Sequence, residues 1–106
     1  MYLFNRFSEE NLPAIGELCE RYGLKEDENA CSTKSWKGDY KESLLCLVQY
    51  SPNDKENPFV VQPWEKDYTD SEVRSFLREV KQITDSDRVL EGFCLDEQKD
   101  VTSLLD

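Results

Sequence analysis

Not one of the 106 residues is histidine. Imidazole is the side chain whose ordinary pKa lies nearest neutrality, so its absence excludes Ser-His-Asp and Cys-His catalysis and removes a common metal ligand. Glycine is scarce too. Gly16, Gly23, Gly38 and Gly92 stand apart from one another, so there is no phosphate-cradling loop and nucleotide binding is not expected. Base is short relative to acid: 13 Lys and Arg against 23 Asp and Glu leave a net charge of −10. That balance opposes direct contact with nucleic acid or an anionic membrane, and it favours a basic protein partner.

No apolar run approaches the length of a membrane span, and the opening Met-Tyr-Leu-Phe-Asn-Arg-Phe lacks the apolar stretch of a signal peptide. A cytoplasmic protein is expected. Cys19, Cys31, Cys46 and Cys94 would permit two disulfides in a secreted chain, but without an export signal they read as reduced thiols. Their intervals contain no Cys-x-x-Cys knuckle. No zinc site, other metal or cofactor is therefore expected.

What is present is a chain 38% apolar and 34% charged, sufficient for one α+β domain over residues 1–106. The strongest local pattern runs from Tyr68 to Thr84. Val73, Phe76, Leu77, Val80 and Ile83 recur with helical spacing, and Thr69 with Glu72 has the spacing of a capping box. An earlier helix lies between Ser8 and Tyr22. Its start admits two N-caps: Ser8, with Glu9 and Glu10 in the first turn but Pro13 inside the helix, or Asn11, which leaves Pro13 in the first turn; Gly23 suits the left-handed residue that ends it.

Strands are expected over 2–7, around Ala30–Trp36, over Ser43–Tyr50, over Phe59–Gln62 and over Arg88–Leu95, with Gly92 as a bulge. Residues 39–50 also admit a helix capped at Asp39. The run 44–50 pairs naturally with 59–62 as a hairpin, and 96–106 reads as a short helix or tail. These elements predict an antiparallel sheet of three to five strands with two main helices on one face, and a ferredoxin-like order is one way to connect them.

The Asp85-Ser86-Asp87 sequence follows the end of the best helix rather than a strand, so it reads as a polar turn and not a metal-binding pair. Arg74, Arg78 and Lys81 form a basic flank on that helix, for which an Asp70–Arg74 surface pair supplies an ordinary role. Acid is concentrated after Thr84. Asp85, Asp87, Glu91, Asp96, Glu97, Asp100 and Asp106 face only Arg88 and Lys99 there.

This acidic pole, with Trp36, Tyr40 and Trp64 as aromatic anchors, is the expected contact surface. The reading that follows is a small acidic inhibitor or immunity-type antagonist that performs no catalysis. It would block a basic protein surface, such as that of a nuclease, with carboxylates standing where nucleic-acid phosphates would lie. The resemblance to such antagonists is one of size and charge alone. The alternative is a regulatory or adaptor module whose contact surface is apolar and whose charge serves solubility.

Overall fold

The computed structural model describes residues 1–27, 34–39, 42–92 and 97–105. Within them the chain forms β1 (Tyr2–Phe4), a 3-10 turn (Glu9–Asn11), α1 (Leu12–Arg21), β2 (Lys25–Glu26), β3 (Lys34–Lys37), β4 (Leu45–Tyr50), β5 (Phe59–Pro63), α2 (Ser71–Thr84), β6 (Val89–Glu91), β7 (Lys99–Asp100) and a second 3-10 turn (Thr102–Leu104). Seven strands make one antiparallel sheet in the order β2-β3-β4-β5-β1-β6-β7. The expected three to five strands are exceeded because β2 and β7 are two-residue edge strands with both residues exposed. Without an inward-facing apolar residue, neither carries the alternation by which a strand is read.

Of the two N-caps the sequence admits, α1 uses Asn11, with Pro13 in the first turn, while Ser8 precedes the first 3-10 turn. It ends at Gly23, whose φ of +76° lets the Gly23 and Leu24 amides return to the carbonyls of Glu20 and Cys19. α2 is capped one residue later than the capping box implied. Asp70 is the N-cap, and its carboxylate accepts the backbone N–H groups of Glu72 and Val73. Thr69 instead turns its hydroxyl to Asp67. A carboxylate beside the helix N-terminus meets both orphan donors and the positive end of the dipole, so it displaces the neighbouring Thr. The expected Asp70–Arg74 pair is also replaced: Asp70 meets Lys66 at 3.4 Å, and Arg74 donates to the Tyr68 carbonyl.

Residues 45–50 are strand and not helix, paired in register with β5 from Tyr50↔Phe59 to Leu47↔Gln62, with an irregularity between Leu45 and Leu47. Across the sheet Trp36, Val48, Val61 and Tyr2 lie side by side, as do Phe59, Phe4 and Val89. These side chains join Ile15, Leu18 and Cys19 of α1 and Val73, Phe76, Leu77 and Val80 of α2 in one core cluster. Phe4 meets Phe59 edge-on at 6.1 Å, and Tyr22 meets Phe76 at 4.9 Å, locking the end of α1 to α2. Each such fully buried apolar side chain contributes about 1.5–3 kcal/mol by its removal from water.

Gly92, expected as a bulge, follows β6 with a φ of +146°. The expected strand around Ala30–Trp36 appears as β3, while its part before Lys34 and the Phe93–Leu95 part of the last strand lie outside the described residues. No described helix is long and apolar enough to cross a membrane.

Candidate protein-binding site

Among the described residues, the carboxylates of the acidic pole are engaged by different partners. Asp85 takes the left-handed position after α2, with φ of +53°, and its side chain is 97% exposed. Arg6 reaches it at 3.6 Å and reaches Asp87 at 3.1 Å, while Asn5 donates its side-chain amide to Asp87 as well. The Asn5 hydrogen bond, helped by the Arg6 charge, holds the Asp87 carboxyl below its ordinary range. Between the two acids Ser86 is buried, sharing a 2.7 Å hydrogen bond with Thr84 and bonding the Arg6 backbone. The Asp-Ser-Asp segment is therefore a polar turn that fastens the end of α2 to the chain leaving β1.

Glu91 lies across the β6–β7 ladder from Lys99, and its carboxylate accepts the Tyr2 hydroxyl at 2.6 Å. Asp100 stands opposite Leu90, on the other face of that ladder by strand alternation, and is occupied by the Thr102 hydroxyl and amide. Those bonds hold its carboxyl below the ordinary range. Glu97 is exposed. Asp96 and Asp106 lie outside the described residues.

The aromatic anchors differ in burial. Trp36 belongs to the core with 6% of its surface exposed, because it faces Val48 across the sheet; the polarity of the segment before it concealed this. Trp64 is half-buried directly after β5, its amide bonded to the Leu44 carbonyl. Tyr40 lies outside the described residues.

What the fold creates instead is a cleft of about 660 Å³ between α1 and the β2–β3 edge. Its floor is apolar, formed by Leu12, Pro13 and Gly16 over the buried side chains of Leu24 and Trp36. One bank carries Glu17 and Glu20 on successive turns of α1. The opposite bank carries Lys25 and the Glu26–Lys34 ion pair, closed at 3.0 Å. A Cβ placed on Gly16 would meet nothing within 4 Å, so the missing side chain leaves real space in the floor.

Spacing alone could have suggested part of this: Glu17 lies on the exposed side of a recognisable helix. The opposing bank could not be found that way, because Lys34 is brought beside Glu26 by the pairing of β2 with β3, which spacing along the chain does not specify. Among the described residues, no group of three or more Asp, Glu or Cys side chains is placed to hold a metal ion. Cys19 is fully buried, and that burial pushes its thiol up to about 12, far from a reactive thiolate. No family model, curated protein or solved structure matches this chain.

Proposed function

We propose that this protein is a non-catalytic acidic antagonist that binds and covers a basic surface on a partner protein, working in the reducing cytoplasm. The observation that carries the reading is a run of acids left, among the described residues, without cationic partners while five cations are paired elsewhere. Arg6, Arg21, Lys34, Lys37 and Lys66 are each held by a carboxylate of the same chain. Glu9, Glu10, Glu17 and Glu20, along the exposed side of the first 3-10 turn and α1, have no cationic partner among the described residues. An acidic excess of this kind attracts a cationic surface from a distance, and the contact it makes weakens as salt screens it. A nuclease or another nucleic-acid-binding protein would offer such a surface.

The split βαβ arrangement of ferredoxin-like domains is our reading of the centre of the sheet, supported by the order β4-β5-β1-β6 with a helix after β1 and another after β5. Both helices would then cover one face. One observation favours an adaptor as the second reading. Val60, Leu3 and Leu90 are cross-strand neighbours on the face away from the core cluster, with Val60 and Leu90 half-buried.

Capture from host lysate on the immobilised protein, washed at about 0.05 M and about 0.5 M salt, separates the two. The antagonist reading expects a basic protein retained at low salt and largely lost at high salt. A partner held equally in both washes would sink it and favour the apolar row.

A further inference from the structure

We propose that the cleft between α1 and the β2–β3 edge is the docking site for a basic amphipathic helix of the partner, an inference that rests on the antagonist reading above. Two features of the cleft specify such an occupant. Leu12, Pro13 and Gly16, backed by the buried Leu24 and Trp36, offer apolar surface that apolar side chains would cover, and they run along a ten-residue helix. The α1 bank presents Glu17 and Glu20 three residues apart, neighbours on a helix surface. Lys or Arg at the same spacing on a second helix lying alongside would meet both.

The mixed bank is consistent with this polarity. Glu26 already neutralises Lys34 at 3.0 Å, which leaves Lys25 as its only cation without an ion pair among the described residues. The basic side of the occupant therefore faces α1. An added strand is disfavoured, because β2 offers only Lys25 and Glu26 as an edge and a strand gains its affinity from a longer backbone ladder.

The test uses synthetic peptides of about 18 residues, long enough to form a helix when bound. One carries leucines at helical spacing with lysines between them. A second has the same charge with serine for leucine, and a third alternates Leu and Lys. Calorimetry would measure their binding to the wild type, to Gly16→Phe, to the double reversal Glu17→Lys with Glu20→Lys, and to a remote double reversal, Glu56→Lys with Glu65→Lys. The last changes net charge equally outside the cleft.

The helical Leu/Lys peptide should bind about tenfold more weakly to Gly16→Phe and to the cleft reversal, but within about threefold of wild type for the remote reversal. The serine peptide should bind about tenfold more weakly than the leucine one. Melting curves establish that each variant is folded, and the cleft reversal provides a readout independent of Gly16→Phe. Absence of binding, equal loss in both reversals, or undiminished binding to Gly16→Phe would overturn the proposal. Tighter binding of the alternating peptide would do so as well, by replacing the helix with a strand. A salt-sensitive basic partner still captured from lysate by Gly16→Phe would move the site elsewhere and leave the antagonist reading standing. If the peptide occupies the cleft but the wild type captures no salt-sensitive partner, the antagonist reading alone fails.

Discussion

The Tyr2 hydroxyl donates a 2.6 Å hydrogen bond to Glu91 and accepts the Tyr68 backbone amide at 2.8 Å, joining β1, β6 and the approach to α2 through one oxygen. Burial, reinforced by the Glu91 hydrogen bond, pushes the phenol well above its ordinary range, so it stays a donor throughout the neutral region. Removing that oxygen leaves a carboxylate and an amide short of a partner. Tyr2→Phe should cost about 1–3 kcal/mol in urea denaturation. An unchanged midpoint would mean that water replaces the phenol without loss.

The cap of α2 distinguishes the observed helix start from the one the sequence pattern suggested. Asp70→Ala should lower the melting temperature by about 5 °C, and Thr69→Ala by less than half as much. Circular dichroism melts of the two variants suffice. The reverse ranking would restore Thr69 as the cap.

Acid should weaken the contacts that hold the turn at Asp85-Ser86-Asp87. Asp87 has its carboxyl lowered by Asn5 and then by Arg6, so this contribution is present in full above the unfolded carboxyl pKa of about 3.9. It is lost as pH falls from there through the lower folded value. The melting temperature of Asp87→Asn should therefore lie below that of wild type at neutral pH, with the gap closing below about pH 4. A gap that persists or widens in acid would contradict the assignment. Comparing the two proteins at each pH cancels most of the change in whole-molecule repulsion.

Two glycines should respond oppositely to alanine. A Cβ on Gly38 would collide with the Leu45 carbonyl oxygen and the Ser43 side chain, whereas one on Gly16 would meet open space. Gly38→Ala should destabilise by about 1–3 kcal/mol, since it overpacks a backbone contact. Gly16→Ala, inside α1, should stabilise by up to about 1 kcal/mol through helix propensity. Chemical denaturation of both variants checks the signs.

Native thiol labelling should discriminate the two described cysteines. Cys19 is fully buried with its thiol pushed up to about 12, while Cys46 is half-buried and donates to the Gln62 carbonyl. Alkylation at pH 7.5 followed by peptide mass spectrometry should therefore modify Cys46 well before Cys19, which waits for unfolding. Rapid Cys19 labelling in the native state would show that α1 opens locally.

Much of the fold was legible because its signals are local. The stripe from Val73 to Val80 identifies α2, and Pro13 with Gly23 brackets α1, since backbone geometry and periodic burial act over a few residues. The hairpin of β4 and β5 could be read from two β-branched, aromatic runs separated by a turn. The candidate site was much less legible. A count of carboxylates after Thr84 suggests one acidic pole, yet Arg6, Tyr2 and Thr102 each engage part of it.

By itself, then, the sequence determined the acidic balance, the absence of histidine chemistry, the two helices and the central hairpin. Composition and short-range spacing specify these before any long-range contact forms. Only the tertiary structure decided that Trp36 is core, that Asp85 and Asp87 are drawn to Arg6 while Glu91 and Asp100 serve other bonds, and that α1 and the β2–β3 edge enclose a cleft. The physical reason is sheet pairing. It places strands remote in sequence side by side, and side-chain alternation across them sets which residues meet the helices and which meet water.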